Sequence, residues 1–237
     1  MENKDLKNMK YLILGDGKLA TELHRQTGWD YISRKKNGFD IRDKDLRMLD
    51  TDYAIYINCI ANTNTTDNTK KAHWDVNYLS VINLANFCRD YNIKLVHISS
   101  DYLYSGSNSN ASEEDVPVHV NNWYCYTKLL ADGYIQALSK NYLIIRTSFK
   151  AKPYPWDVAW TDISTNADYI DVISDYIIRL IKLDATGVYN IGTETKSFYD
   201  LAIQTKPDCK PISDDHSFNR PHDVTMNLNK LKNKLGL

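Results

Sequence analysis

Short apolar runs alternate with amphipathic stretches through the first two thirds of the chain. Tyr11–Leu14 is apolar and closed by Gly15, the pattern of a buried strand. Lys18 to Gln26 follows with helical spacing. Tyr31–Ser33 reads as a second strand and Tyr53–Cys59, rich in β-formers, as a third. The polar stretch from Asn62 to Thr69 reads as a loop. From Ala72 to Tyr91 the apolar positions Val76, Leu79, Val81, Leu84, Ala85 and Cys88 recur with helical period. Lys94–Ser99 is a fourth expected strand, Ser105 to Glu114 a Ser/Asn loop, Trp123 to Leu138 a helix and Tyr142–Arg146 a fifth strand. Strands that alternate with helices imply an α/β fold, a doubly wound parallel sheet, because parallel neighbours need crossover connections.

After Phe149 the order changes. Lys152 to Asn166 is loop-like, with Pro153 and Pro155. Tyr169 to Ile181 is helical, Val188–Ile191 is a short strand, and a helix is expected near Ser197 to Gln204. The division expected is residues 1–150 as a nucleotide-binding domain and 151–237 as a reduced substrate-binding region packed on it. Composition adds exclusions. Of 237 residues 43% are hydrophobic and 25% charged, which fits a globular chain. A net charge of -1 gives no footprint for nucleic acid or an anionic membrane. No apolar run approaches the roughly 20 residues of a membrane helix. Met1 to Lys10 is polar, with no apolar stretch for a leader, so a cytoplasmic protein is expected. The four cysteines, Cys59, Cys88, Cys125 and Cys209, are scattered without metal-ligand spacing, so free thiols and no metal are expected.

Gly15-Asp16-Gly17-Lys18-Leu19-Ala20 follows a strand and opens a helix, and it fits the dinucleotide pattern G-x-G-x-x-G/A. The glycines permit a tight turn and close approach of backbone to a pyrophosphate. The helix N-terminus supplies free N–H groups. The fold is therefore expected to be Rossmann-like. The end of the second strand reads the cofactor. An acid there holds a ribose 2′-hydroxyl in NAD enzymes. This chain has Ser33-Arg34-Lys35-Lys36 instead, and adjacent cations suit a 2′-phosphate. NADP (NADPH) is favoured and NAD stays open, with Asp30 as the acid that would serve it.

Tyr124 and Lys128 lie four apart in an expected helix, one turn apart on one face. An ammonium close to a phenol favours the phenolate, which makes tyrosine usable in proton transfer near neutrality. Ser99-Ser100-Asp101-Tyr102 ends the fourth strand, on the side where open α/β sheets bind ligands. A hydroxyl there can hold a substrate carbonyl oxygen while Tyr124 protonates it. Ser100, Tyr124 and Lys128 are the candidate catalytic residues. The plainer reading of the serines is that they cap the strand end.

With these motifs the chain resembles the extended short-chain dehydrogenase/reductases and, among them, the dTDP-4-dehydrorhamnose reductase family. The segments that carry the resemblance are Ser99-Ser100-Asp101-Tyr102-Leu103-Tyr104-Ser105-Gly106, Tyr124-Cys125-Tyr126-Thr127-Lys128, Arg146-Thr147-Ser148-Phe149 and Arg220-Pro221-His222-Asp223-Val224-Thr225-Met226-Asn227-Leu228. The strand Val188-Tyr189-Asn190-Ile191-Gly192 is similar to a late strand of the family. The resemblance implies that Gly17, Lys18 and Leu19 line the pyrophosphate, in the loop that Gly15 opens; Arg34 and Lys35 are the cations expected at the 2′-phosphate. It places Asp40 and Ile41 beside the adenine, and Ala61, Asn62 and Thr63 against the cofactor after the third strand. It implies that Asn77 braces the site and that Ser100, Asp101, Phe149 and Arg220 meet the substrate. Departures are a glycine loop one residue shorter, Cys125 for glycine, Phe149 for tryptophan, and a shortened region after residue 150.

The expected function is an NADP-dependent reductase of a nucleotide-linked 4-keto-6-deoxy sugar, with hydride delivered to C4 and Tyr124 as proton donor. Two alternatives stand beside it. One is a non-catalytic regulatory subunit of the same fold, similar to the methionine adenosyltransferase β subunit. The other is a nucleotide-sugar epimerase or dehydratase. The expected partner is a nucleotide-sugar substrate; a homodimer is left open.

Overall fold

The computed structural model describes residues 9–65, 69–118, 122–214 and 221–237. Its centre is a six-stranded sheet. The strands are β1 (Tyr11–Leu14), β2 (Asp30–Ile32), β3 (Ile55–Asn58), β4 (Lys94–Ile98), β5 (Tyr142–Thr147) and β6 (Gly187–Ile191). They lie in the order β6-β5-β4-β3-β1-β2, and every pairing is parallel. This is the Rossmann-like doubly wound arrangement. The strand order reverses between β1 and β3, where such sheets open a crevice at their carboxyl ends.

The two faces follow from the alternation of side chains along each strand. Ile13, Ile55, Ile57, Val96, Leu143 and Ile145 point to one face. There they pack against α1 (Lys18–Thr27), α6 (Ile170–Lys182) and α8 (Asn229–Leu235) through Leu23, Ile173, Ile177, Leu231 and Leu235. Leu12, Leu14, Tyr56, Leu95 and Ile144 point to the other, against α4 (Ser80–Asp90) and α5 (Trp123–Leu138) through Val81, Leu84, Ala85, Ala131 and Ile135. A third cluster, with Tyr154, Ile163 and Tyr169 and with Phe198 and Leu201 of α7 (Phe198–Ala202), forms the interior of the region after β5. Here short strands pair over long distances, Val158–Trp160 with Lys210–Ile212 and Ser164–Thr165 with Lys196–Ser197. No helix among the described residues is long and apolar enough to cross a membrane.

The long helix expected over 72–91 is divided. α3 (Lys70–His73) runs through a wider π-turn, Trp74–Leu79, into α4. Such turns interrupt α-helices where a side chain must be placed off the regular path. The side chain so placed is Asn77, which is fully buried. Its Oδ1 accepts from the Asn62 N–H at 2.8 Å, its Nδ2 donates to the Asn62 carbonyl at 2.9 Å, and Nδ2 also lies 3.4 Å from Thr127 Oγ1 on α5.

The carboxyl end of β1 turns sharply at Gly15, whose φ is +115°. A Cβ there would sit 3.1 Å from Ile60 Cγ1. Both the backbone angle and the close approach call for glycine. Gly15→Ala is expected to lower stability by about 1–2 kcal/mol, read as a lower urea midpoint with an unchanged slope.

Candidate active site

Two groups of candidate residues lie along the carboxyl edge of the sheet. At the β1/β3 reversal a cavity of about 210 Å³ is lined by Gly15, Asp16, Ser33, Arg34, Phe39, Asp40, Ile41, Arg42, Ile60 and Val76. α1 opens on Gly17 with no side-chain cap and no acidic residue in its first turn, so its free N–H groups stay available to an anion. A Cβ at Gly17 would meet nothing within 4 Å, so the backbone there is open to an approaching group. Arg42 grips Asp40 through Nε at 2.9 Å and through a terminal guanidinium nitrogen at 2.5 Å, and Arg34 stands 3.5 Å from the same carboxylate. The Arg42 hydrogen bond, aided by both charges, holds Asp40 down at about 2. Two guanidiniums against one carboxylate leave this wall of the cavity cationic, which suits a phosphate on a ribose. Asp30 is not placed for a ribose. It begins β2, at the end of the strand opposite the crevice, and accepts from the Tyr53 hydroxyl at 2.8 Å.

At the other end β4 gives way to a 3-10 turn, Asp101–Tyr104, capped by Ser100, whose Oγ accepts from the Tyr102 N–H at 3.2 Å. The capping role is thus real, and the same hydroxyl donates to Asp101 Oδ1 at 3.3 Å. Tyr124 sits in the first turn of α5, a helix started by the Asn122 side chain accepting from the Cys125 N–H at 2.8 Å. The Tyr102 and His73 rings meet the Tyr124 ring edge-on, each at 6.4 Å between centroids. Burial pushes the Tyr124 phenol well above its ordinary value, Ser100 pulls it down, and the Asp101 charge pushes it up. Asp101 is buried, and burial lifts its carboxyl to about 6 against the pull of Lys150. Lys128, one turn beyond Tyr124, is buried to 1% exposure and points to β4. Its Nζ lies 2.9 Å from His97 Nε2 and 2.6 Å from the Ile98 carbonyl. Ser99 Oγ is buried with no hydrogen-bond partner among the described residues.

The structure gathers Ser100, Asp101, Tyr124 and Lys128 at one end and Gly15, Arg34, Asp40 and Ile41 at the other. Lys18 joins them electrostatically, since its charge acts on Lys150, which in turn faces Asp101. Leu19 is 5% exposed and packs into the core, so only its backbone faces the crevice. Lys35 is exposed on α2 (Arg34–Asn37) and does not line the cavity. Lys36 lies over the Tyr31 ring at 3.7 Å. Ala61, Asn62 and Thr63 follow β3, with Asn62 clamped by Asn77. Phe149 is half-buried against the sheet core. Arg220 lies outside the described residues.

Three residues of this region were not singled out in the sequence. Arg42 sits beyond the basic triplet, and only its spacing from Asp40 hints at it. Lys150, whose Nζ lies 4.4 Å from the centre of the Phe198 ring, needed the C-terminal region in place to be seen. His97 reads as an ordinary strand residue.

This fold, with a Ser/Tyr/Lys set at the end of β4, defines a Rossmann-type member of the extended short-chain dehydrogenase/reductases. Within that class the chain belongs to the family described as RmlD substrate binding domain, whose sequence model matches residues 9–157, the dTDP-4-dehydrorhamnose reductase-like group. It is 27% identical over 143 residues to the dTDP-4-dehydrorhamnose reductase of Mycolicibacterium smegmatis. That alignment takes in 56% of this chain and 42% of the relative, so the chain matches less than half of that protein's length. Solved structures extend the likeness of fold to nearly the whole chain. A hypothetical dTDP-4-dehydrorhamnose reductase from Sulfolobus tokodaii superimposes with a TM-score of 0.80 at 24% identity, over 95% of this chain and 94% of the other. The dTDP-4-dehydrorhamnose reductase of Bacillus anthracis, solved in complex with NADP, superimposes with a TM-score of 0.81 at 20% identity, over 94% and 91%. The shortened region after residue 150 therefore has a counterpart of similar extent among solved structures.

Proposed function

We propose that the chain is an NADP-dependent reductase of a nucleotide-linked 4-keto-6-deoxy sugar. The observation that carries this reading is the common edge of the sheet: Ser100 at the carboxyl end of β4, Tyr124 and Lys128 one turn apart on α5 with Lys128 Nζ on the Ile98 carbonyl, and the uncapped α1 N-terminus at the carboxyl end of β1. When bound, the nicotinamide supplies hydride to C4 of the sugar. The residues of the chain do the rest. Ser100 donates to the carbonyl oxygen and holds the charge that develops there. Tyr124 gives that oxygen its proton. Lys128 favours the phenolate that remains and orients the ribose hydroxyls. Gly17 and Lys18 receive the pyrophosphate on free N–H groups and a cation, and Gly15 supplies the sharp turn before them. Arg34 takes the 2′-phosphate, with Arg42 beside it. Asp101 and Phe149 border the sugar, and Arg220 is carried over from the family as a contact to nucleotide phosphates. Membership of the family and the NADP complex of the Bacillus anthracis relative support the reading.

The experiment is oxidation of NADPH with dTDP-4-dehydrorhamnose, with NADH in parallel. Turnover with NADPH is expected. Binding of NADPH without turnover of this or other 4-ketosugars would favour the regulatory reading. Replacing Arg34 and Arg42 together by Ala is expected to weaken NADPH roughly tenfold or more while changing NADH little, because a charge-assisted contact contributes about 1.5–3 kcal/mol. Lys35→Ala serves as the control and is expected to change neither. Equal weakening of both cofactors in the double variant would show that these arginines do not read the 2′-phosphate.

A further inference from the structure

The contacts of Lys128 run away from the substrate and into the sheet. His97 and Asn58 are register partners on β4 and β3, so their side chains stand side by side on one face. Both are buried, at 0% and 1% exposure. Asn58 Nδ2 lies 3.3 Å from His97 Nδ1, and Asn58 Oδ1 accepts from the Ile60 N–H at 3.1 Å. His97 Nε2 faces Lys128 Nζ at 2.9 Å, and Nζ reaches the Ile98 carbonyl at 2.6 Å.

This chain of hydrogen bonds has a direction. The Ile60 amide only donates, so the Asn58 atom that meets it is the oxygen. Asn58 then presents its NH₂ to His97 Nδ1, which must accept. A neutral imidazole that accepts at Nδ1 carries its proton on Nε2. That N–H points at Lys128 Nζ, which accepts only as an uncharged amine. The amine still donates to the Ile98 carbonyl, and every member is satisfied. An ammonium at Lys128 reverses the last link. Nε2 must then accept, the imidazole proton moves to Nδ1, and it meets the NH₂ of Asn58 donor to donor. Flipping the Asn58 amide only moves the conflict to Ile60.

We propose that His97 is a positioning residue for Lys128, fixing the place of Nζ and, through the directional chain from Ile60, favouring its uncharged form until a bound ligand supplies an acceptor. The other groups facing Nζ do not override this. Asp132 on α5 favours the ammonium, yet its carboxylate is already paired with Arg146 at 3.1 Å. Cys59, just past β3, stays a neutral thiol, because burial pushes it up to about 12. Burial acts on Lys128 in the same direction as the chain and brings it down to about 8. Burial holds His97 well below its ordinary value, so the ring stays neutral.

The final clause rests on the cofactor reading given above. Ribose hydroxyls and phosphate charge close to Nζ favour the ammonium. Occupancy then draws a proton onto Lys128, and the new charge lowers the Tyr124 phenol that burial holds high in the free protein.

Nuclear magnetic resonance on ligand-free protein, labelled with ¹⁵N at histidine and ¹³C at lysine, tests this without turnover. The Lys128 ε-carbon is expected to titrate near pH 8, and above that pH His97 is expected as the Nε2–H tautomer. In His97→Gln the side-chain oxygen can accept from an ammonium, and the Lys128 midpoint is expected to rise by about one unit. Added NADP is expected to raise the wild-type midpoint, with proton uptake seen by calorimetry in buffers of different ionisation enthalpy. An Nδ1–H tautomer in the wild-type protein above the Lys128 midpoint overturns the proposal whether or not the variant folds. So does a Lys128 titration that His97→Gln leaves unmoved. If the tautomer and the Gln shift appear but NADP does not bind, the occupancy step and the cofactor reading fall while the positioning role stands.

Discussion

Tyr124→Phe is expected to lower ketosugar turnover by roughly 10²–10⁴-fold, the usual size of a lost general acid, while NADPH affinity stays within about threefold. The substitution removes one oxygen and little else. The ring keeps its edge contacts with Tyr102 and His73. The start of α5 is set by Asn122, not by the phenol. Ser100 keeps both its hydrogen bonds, accepting from the Tyr102 N–H and donating to Asp101 Oδ1 at 3.3 Å. The fold is therefore expected to be intact, and the loss falls on the chemical step. Stopped-flow oxidation of NADPH gives the rate and fluorescence titration gives the affinity. Near-normal turnover would remove Tyr124 from the mechanism, and a large loss of affinity would move its role to binding.

The largest expected effect on stability lies behind the site. Arg146, at 2% exposure on β5, donates from Nε to Asp132 at 3.1 Å and from a terminal nitrogen to the Tyr104 hydroxyl at 2.5 Å. Tyr104 donates to Asn190 Oδ1 at 3.0 Å, and Asn190 Nδ2 donates to the Ala111 carbonyl at 3.0 Å. The network ties the helix that carries Tyr124 to β5, β6 and the turn after β4. Arg146→Met leaves Asp132, fully buried, without its counter-charge. Breaking a buried pair in this way costs about 3–5 kcal/mol. Urea unfolding is expected to show that loss. The double variant Arg146→Met/Asp132→Leu is expected to recover much of it, because replacing both charges by apolar groups is often near neutral. A double variant no more stable than the single one would place the cost in the bonds to Tyr104 rather than in the orphaned carboxylate.

The sheet and its helices were legible because each strand is an apolar run and each crossover helix has its own periodic stripe. α5 occupies the expected span, Trp123–Leu138, and the other main elements shift by a residue or two. The rest depended on partners remote in sequence. Val158–Trp160 is a strand only because Lys210–Ile212 lies beside it, and nothing local distinguishes it from a loop. α8 is short, and its packing on β6 and α6 is a tertiary matter. The π-turn was hidden because its periodicity blends into the helices on either side. In the site, Tyr124, Lys128 and Ser100 were visible through spacing and strand position. His97 was not, since a buried histidine in a strand has no local signature. Arg42 and Lys150 act through charges that only the folded chain brings near Asp40 and Asp101.

The π-turn at Trp74–Leu79 gives the rod formed by α3 and α4 two masters. From Val81 onward it serves the sheet, and at Asn77 it serves the loop after β3. A designer who regularised it, by deleting one residue or raising helix propensity, would obtain a firmer rod and a better-packed layer. The amide clamp on Asn62 would then lose its aim, and the crevice one of its walls. The kink is a concession of robustness for placement, so the usual recipes for hardening a helical layer should stop short of these six residues.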